Sequence, residues 1–459
     1  MTQPVVVIGL DCLTPQLAFE QYADAMPTLH RLAREGAHGR LRSVTPPITV
    51  PAWACSVTGK TPGALGVYGL RNRRDFSYQP LGITTSLDVR APTIWDRLGK
   101  TGKSSIVVGV PPGYPPKPLQ GHAISCFLTP GTDSSFTYPD SLKSEIEATV
   151  GEYWFDVPNF RHAERRGLLD DIHRLTEQRF RLATHLMTTK PWEFLMTVDM
   201  GPDRLHHAFW QHADPEHVLY ERGNPFQHAM RDYYRFLDDQ LTQFLERVPD
   251  DAAVLIVSDH GAQRMDGGIA INEWLIQNGY LALQRHPDEP ASLDQLEIDW
   301  GKTSAWGEGG YYGRIFLNVQ GREPQGTVPA NEVEALRHEL ITKLEALGDE
   351  QGQPIGTRVH RPEELYEEIN GIPPDLIALF GDLHWRSVGS VGHGSIWTRQ
   401  NDTGPDGANH APDGVLVAVN VPGLQGELAA PRLTELAGTA LDRLEPGISH
   451  GLGSFGPSS

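Results

Sequence analysis

The stretch Val5-Val6-Val7-Ile8-Gly9-Leu10-Asp11 decides the fold. It is an unbroken apolar run rich in β-branched residues that stops abruptly at a carboxylate. Such a run reads as a strand buried on both faces of a parallel sheet. The same pattern recurs at Ser105 to Val110, at Ala253 to Val257 in DDAAVLIVSDHG, at Phe194 to Val198 in WEFLMTVDMGPD, and at Val415 to Val419 in HAPDGVLVAVNVPG. Helical patterns lie between them. One has Pro27 in a first-turn position, Leu29 and Leu32 at helical spacing and Gly36 as a stop, and others span Leu168 to Leu186 and Glu332 to Leu347. Strands alternating with helices predict an α/β fold with a doubly wound, mostly parallel sheet and helices on both faces. In such sheets ligands bind beyond the carboxyl ends of the strands, so the residues directly after each run matter most.

The chain is long enough for more than this core. Its 459 residues carry 39 Lys and Arg against 58 Asp and Glu, a formal charge of −19, and three cysteines. A composition of 21% charged and 39% apolar residues is that of a folded protein. The acidic balance disfavours a nucleic acid polymer or an anionic membrane as partner, because phosphate contacts need clustered Lys and Arg. Cys12, Cys55 and Cys126 form no disulfide framework and no CxxC pair. The first apolar run is too short for a signal segment or a membrane span. The expectation is a reducing, soluble compartment, the cytoplasm.

The excess length divides around that core. Residues 1–270 and 400–440 form the core, with 111–185 as a Pro/Gly-rich flap and helical insertion. Residues 271–400 form an inserted cap, and 441–459, ending GISHGLGSFGPSS, a flexible tail.

Acidic and histidine residues cluster where strands end. Asp11 follows the first run, Asp203 and His207 lie in MGPDRLHHAFW, Asp259 and His260 in VSDHG, and His410 in ANHAPDG. If Pro202 opens a helix, Asp203 and His207 stack one turn apart on one face and can chelate one ion. His206 is an equally available imidazole by sequence. Three carboxylates and three imidazoles suit Zn²⁺ or Mn²⁺, and their number suits two ions with open positions. Taken singly, each has an ordinary structural role: a turn former, a helix cap, a solvated face. Their common location argues for a site. Thr49, in TPPITVPAWACSVTG before Pro51, stands at or just before a helix N-terminus, where free N–H groups favour an anion. The competing role is a simple N-cap.

The ordered set GLDCLTP, ITVPAWACSVTG, PDRLHH, SDHG and NHAPDG resembles the alkaline phosphatase superfamily, in its type I phosphodiesterase/nucleotide pyrophosphatase branch and related phosphohydrolases and phosphomutases. The resemblance covers residues 1 to about 270 and about 370 to 425. It implies one metal held by Asp203, His207 and His410, and a second held by Asp11, Asp259 and His260. It implies Thr49 as the catalytic nucleophile, touching the second ion. It selects His207 over His206. The chain departs from nucleotide-cleaving relatives at Ala52 and Trp53, where an Asn donor stands shortly after their nucleophile. A sulfatase is disfavoured because Thr49 is not matured to formylglycine.

GKTGKS at Gly99 to Ser104 precedes a strand and lacks the glycines of a phosphate loop. DTGPDGANH, Asp402 to His410, reads as the turn that delivers His410 and not as a calcium loop. His393 in SVGHGS is a rival for the third histidine. The segment Trp306 to Tyr312 either lines a substrate cleft or serves as core or hinge. The resulting expectation is a dinuclear-metal hydrolase of a small phosphate ester or anhydride, working through a phospho-threonine. A phosphomutase and a non-catalytic metal-dependent binding module are the alternatives.

Overall fold

Nine strands form the central sheet of the computed structural model, which describes residues 3–161, 164–399, 401, 404 and 406–456. They are β1 (Val5–Leu10), β2 (Ala37–Arg42), β3 (Ser105–Val108), β4 (Gly121–Ile124), β5 (Thr137–Tyr138), β6 (Phe194–Asp199), β7 (Ala253–Val257), β8 (Asp413–Val419) and β9 (Gly426–Glu427). Their spatial order is β9-β2-β8-β7-β1-β6-β3-β4-β5. β1 lies at the centre, parallel to both β6 and β7. Both neighbours flank it and helices cover its faces, so every residue of Val5–Leu10 is buried. β8 runs antiparallel between β7 and β2, which makes the sheet mostly but not wholly parallel.

The helices that position the site are α1 (Pro27–Glu35), α2 (Thr49–Thr58), α3 (Ile94–Lys100), α4 (Arg165–Thr189), α5 (Gly201–Ala213), α6 (Ala229–Leu245), α7 (Val333–Glu345) and α8 (Leu436–Leu444). One face of the sheet carries α1, α4, α5 and α6 packed on one another, and the other carries α2, α3 and α8. α1 starts at Pro27 and stops at Gly36 as its sequence indicates. A Cβ on Gly36 would lie 2.0 Å from the Ala418 carbonyl oxygen, so the chain turns there because only glycine lets it pass β8. All ten residues of α2 are buried, consistent with a helix that is apolar nearly all round.

A second cluster of buried apolar residues runs from Ile269 to Ile396. Its frame is an antiparallel sheet of Ala305–Glu308, Gly313–Leu317, Leu376–Leu379 and Arg358–His360, with α7 burying Leu340 and Leu344. Two smaller ribbons join it to the central sheet. One pairs Gly267–Ala270 with Trp385–Val388 and Trp397–Thr398; the other pairs Gly261–Arg264 with Ala408–Ala411.

Two parts of the chain differ from their sequence reading. The Pro/Gly-rich stretch after residue 111, expected to be a flap, contributes β4 and β5 to the sheet. β4 is short and lies between β3 and the edge strand β5, and only Ile124 of it is buried, so the pair shows no continuous apolar run. The segment 441–459, expected to be a flexible tail, begins inside α8, where Leu441 and Leu444 are fully buried. Phe455 then packs back with its N–H on the Thr439 hydroxyl at 2.8 Å. Glycine content conceals this docking; residues 457–459 lie outside the described residues. Among the described residues no helix is long and apolar enough to cross a membrane.

Candidate metal centre

Asp11 continues β1, its N–H bonded to the Asp199 carbonyl at 2.9 Å. Its Oδ2 accepts the Trp53 indole N–H at 2.7 Å, and its buried Oδ1 has no hydrogen-bond partner among the described residues. Trp53 reaches this carboxylate because it lies over Gly9, where a Cβ would stand 2.6 Å from the indole ring. Asp259 and His260 follow β7 after the single residue Ser258. Asp259 Oδ1 accepts the Cys12 N–H at 3.1 Å, and its Oδ2 lies 3.2 Å from His260 Nε2 with no hydrogen-bond partner among the described residues. Pro202 opens α5 as expected, and Asp203 and His207 meet one turn apart at 3.2 Å.

His410 arrives from the far end of the sequence. The ribbon pairs it with Ala262, which brings its ring over that of His260 at 3.8 Å between centroids. Thr49 is the first residue of α2 and not its cap, which is Ile48. Its Oγ1 lies 3.2 Å from His260 Nε2. The fold thus brings together all seven residues singled out in the sequence: Asp11, Thr49, Asp203, His207, Asp259, His260 and His410. Six of them are no more than 2% exposed, and Thr49 is 9% exposed.

Position separates the rival histidines. His206 turns away, its Nε2 on the Tyr234 hydroxyl at 2.8 Å, whereas His207 enters the cluster. His393 pairs with the Ser390 hydroxyl at 2.8 Å and belongs to neither candidate ligand group. Part of the turn before His410, namely Asp402, Thr403 and Pro405, lies outside the described residues.

The donor atoms form two groups sharing Asp203. Cys12, Asp203, His207 and His410 have ligand atoms within 4.8 Å of one another, as do Asp11, Asp203 and His260. The imidazoles are already oriented for a cation. His207 Nδ1 faces Asp406 Oδ1 at 2.7 Å, His410 Nδ1 faces the Pro47 carbonyl at 2.7 Å, and His260 Nδ1 faces the Gly261 carbonyl at 3.1 Å. Each Nδ1 that faces an acceptor carries a proton, which turns Nε2 toward the cluster. The His207 and His410 Nε2 atoms stand 3.3 Å apart. Two ring nitrogens so close beside Asp203, with orphaned oxygens on Asp11 and Asp259 in the same cluster, fit a divalent cation, which would displace the proton that His207 holds.

The electrostatics agree. Burial, and then repulsion among the acids, pushes both Asp11 and Asp259 well above the usual carboxylate range. Burial acts the same way on Asp203, but His207 and Arg204 outweigh it and hold that carboxyl low. Burial lowers His260 to about 4, and burial with the neighbouring imidazoles drives His410 well below the ordinary histidine value. Neutral imidazoles beside carboxylates that resist ionisation form a site that a dication would stabilise.

The cluster borders a cavity of about 990 Å³, lined by Thr49, Asp203 and His410 together with Tyr311 and Trp306. The Trp306–Tyr312 segment lines this cavity, and Trp306 and Tyr312 are also buried core. Tyr311 stacks on His410 at 3.9 Å and carries Arg386 over its ring at 4.6 Å. Sequence patterns do not mark Cys12, Trp53 and Asp406 as parts of the site. Cys12 carries a signal in its place directly after Asp11, and Trp53 one in its departure from the family pattern.

A family model described as type I phosphodiesterase / nucleotide pyrophosphatase matches residues 5–411. No curated protein matches the sequence. Among solved structures, human ectonucleotide pyrophosphatase / phosphodiesterase 5 is similar with a TM-score of 0.56 at 13% identity, covering 100% of this chain and 97% of its own. Phosphonoacetate hydrolase from Sinorhizobium meliloti, in complex with phosphonoacetate, gives 0.61 at 15% identity, covering 96% of each chain. These identities speak for the fold alone.

Proposed function

The chain belongs to the type I phosphodiesterase / nucleotide pyrophosphatase family of phosphoric ester hydrolases, and from that premise we propose that it hydrolyses a small phosphate ester or anhydride with Thr49 as nucleophile. The observation that carries this reading is the place of Thr49 Oγ1. It stands on the first turn of α2, 3.2 Å from His260 Nε2, at the edge of the cavity. Free N–H groups at that turn favour a developing anion.

Asp203, His207 and His410 would hold one divalent ion, and Asp11, Asp259 and His260 a second, Zn²⁺ in preference to Mn²⁺. Bound there, such ions supply the positive charge that stabilises the nucleophile and the phosphoryl oxygens. Thr49 Oγ1, having lost its proton to solvent, attacks phosphorus as the bond to the leaving oxygen breaks, and water then hydrolyses the phospho-threonine to free Thr49 and the phosphoryl product. Trp53 fixes Asp11 through its indole N–H, and the Nδ1 contacts fix the three imidazoles, so the donors do not reorganise during turnover. The buried positions of the acids keep water from competing for them. Three free, buried cysteines suit a reducing compartment, the cytoplasm.

The test is a screen of the purified chain, loaded with Zn²⁺ or Mn²⁺, against aryl phosphomonoesters and phosphodiesters in ¹⁸O-labelled water. Turnover with label entering the phosphoryl product is expected. Phosphoryl return to an organic acceptor without label would show a mutase instead, and metal uptake without any turnover would reduce the site to a binding module.

A further inference from the structure

Cys12 is the one thiol placed among the metal donors. It follows Asp11 directly, is fully buried, and its Sγ lies within 4.8 Å of the ligand atoms of Asp203, His207 and His410. The residue is held from two directions. The N–H donates to Asp259 Oδ1 at 3.1 Å, and the thiol donates to the Gly261 carbonyl at 3.4 Å. Gly261 begins the ribbon that pairs Ala262 with His410, so the thiol and the imidazole are positioned by the same strand pair.

We propose that Cys12 is a fourth ligand, completing a Cys-Asp-His-His zinc site with Asp203, His207 and His410. This rests on the metal centre proposed above and deepens it. A tetrahedral zinc with a sulfur ligand at about 2.3 Å and nitrogen or oxygen ligands at about 2.0–2.1 Å has donors roughly 3.5 Å apart. The four donors here, already within 4.8 Å, need only a small inward movement. The facing His207 and His410 Nε2 atoms at 3.3 Å sit at that spacing without any movement.

Two consequences follow for the chemistry. A thiolate ligand selects zinc over manganese or magnesium, which prefer oxygen donors. A fourth protein donor also leaves this ion less open than the one that Asp11, Asp259 and His260 would hold beside Thr49, so a phosphoryl oxygen would reach it by expanding the coordination to five. Loading the site breaks the Cys12 S–H bond, forms the sulfur–metal bond and releases one proton to solvent. No oxidant or reductant is involved.

The experiment uses the full chain, stripped with a chelator and reloaded with Co²⁺. Wild type should show a near-ultraviolet sulfur-to-cobalt charge-transfer band together with visible d–d absorption. Cys12→Ser and Cys12→Gly should keep the d–d absorption and lose the charge-transfer band. In competition, the zinc-over-manganese preference should fall in Cys12→Ser by at least the roughly tenfold that outer-shell partners alone are worth. Bound cobalt without the charge-transfer band in wild type, or a band that survives in Cys12→Ser, overturns the thiolate assignment and leaves the centre standing. Failure of wild type to bind cobalt at all overturns both.

Discussion

Asp406 Oδ1 and His207 Nδ1 face each other at 2.7 Å across 199 residues of sequence, both buried. The other oxygen of Asp406 accepts from Arg386 at 2.8 Å and Arg161 at 3.0 Å. Burial raises this carboxyl, but His207 and the two guanidinium groups outweigh it and hold Asp406 well below the usual carboxylate range. The same carboxylate is the main reason His207 lies well above the ordinary histidine value despite its burial. An ionised carboxylate behind the ring fixes the Nδ1–H tautomer and raises the basicity of Nε2.

Asp406→Asn is therefore expected to weaken metal binding by about 10- to 100-fold while leaving the folded chain intact. Titration of the stripped protein with zinc against a chelator of known affinity measures it. An unchanged affinity would remove Asp406 from the site.

Thr49→Ala should lower kcat on the order of 10³-fold or more, with metal content unchanged, because the nucleophile is lost and the ligands remain. Thr49→Ser should recover part of the activity. Full turnover by the alanine variant would rule out a phospho-threonine.

Asp259→Asn and His260→Ala should each lower the metal-to-protein ratio found by elemental analysis. Each variant removes one donor from a buried group whose affinity depends on all its members. A ratio equal to wild type in both would contradict their assignment as ligands.

Asp199 gives a pH signature outside the donor set. Burial raises its carboxyl from 3.8 to about 6, with the Thr176 hydroxyl opposing at 2.8 Å. An acid whose folded value is raised contributes its stability fully below about pH 3.8 and loses it as pH rises through about 6. Asp199→Asn keeps a neutral group throughout. The difference in stability, variant minus wild type, should move in the variant's favour between about pH 4 and pH 7. Its full extent is up to about 3 kcal/mol, since moving a pKa by one corresponds to about 1.4 kcal/mol. Thermal melts across that range read it, and a flat difference would show that the fold does not raise this carboxyl.

Thr49, the Asp203/His207 pair and the Asp259-His260 pair are legible in the sequence because each stands where a continuous apolar run or a proline-opened helix begins or ends. That placement follows from chain geometry, while the choice of His207 over His206 and of Thr49 as nucleophile rests on the family resemblance. His410 is legible for the same reason, as the imidazole before β8. Asp406 is not, because its role exists only once α5 and the turn before His410 are brought together, and along the chain it is one acid in a polar turn. Trp53 reads in sequence as a departure from a family pattern. Its indole N–H bond to Asp11 depends on a gap at Gly9 that only the packed structure reveals. Strands β4 and β5 escape because short, half-exposed strands carry little apolar signal.

The contact of Trp53 with Gly9 also limits how this protein tolerates change. Any side chain at position 9 would collide with the indole ring, and displacing that ring would free Asp11 and shift the first turn of α2 that carries Thr49. Folding and chemistry therefore share one pair of positions and are not separately adjustable there. A library aimed at new substrates should hold residues 9 and 53 constant and draw its variation from Leu293 to Leu296 and Ile298, which line the same cavity from the second apolar cluster's side of the chain.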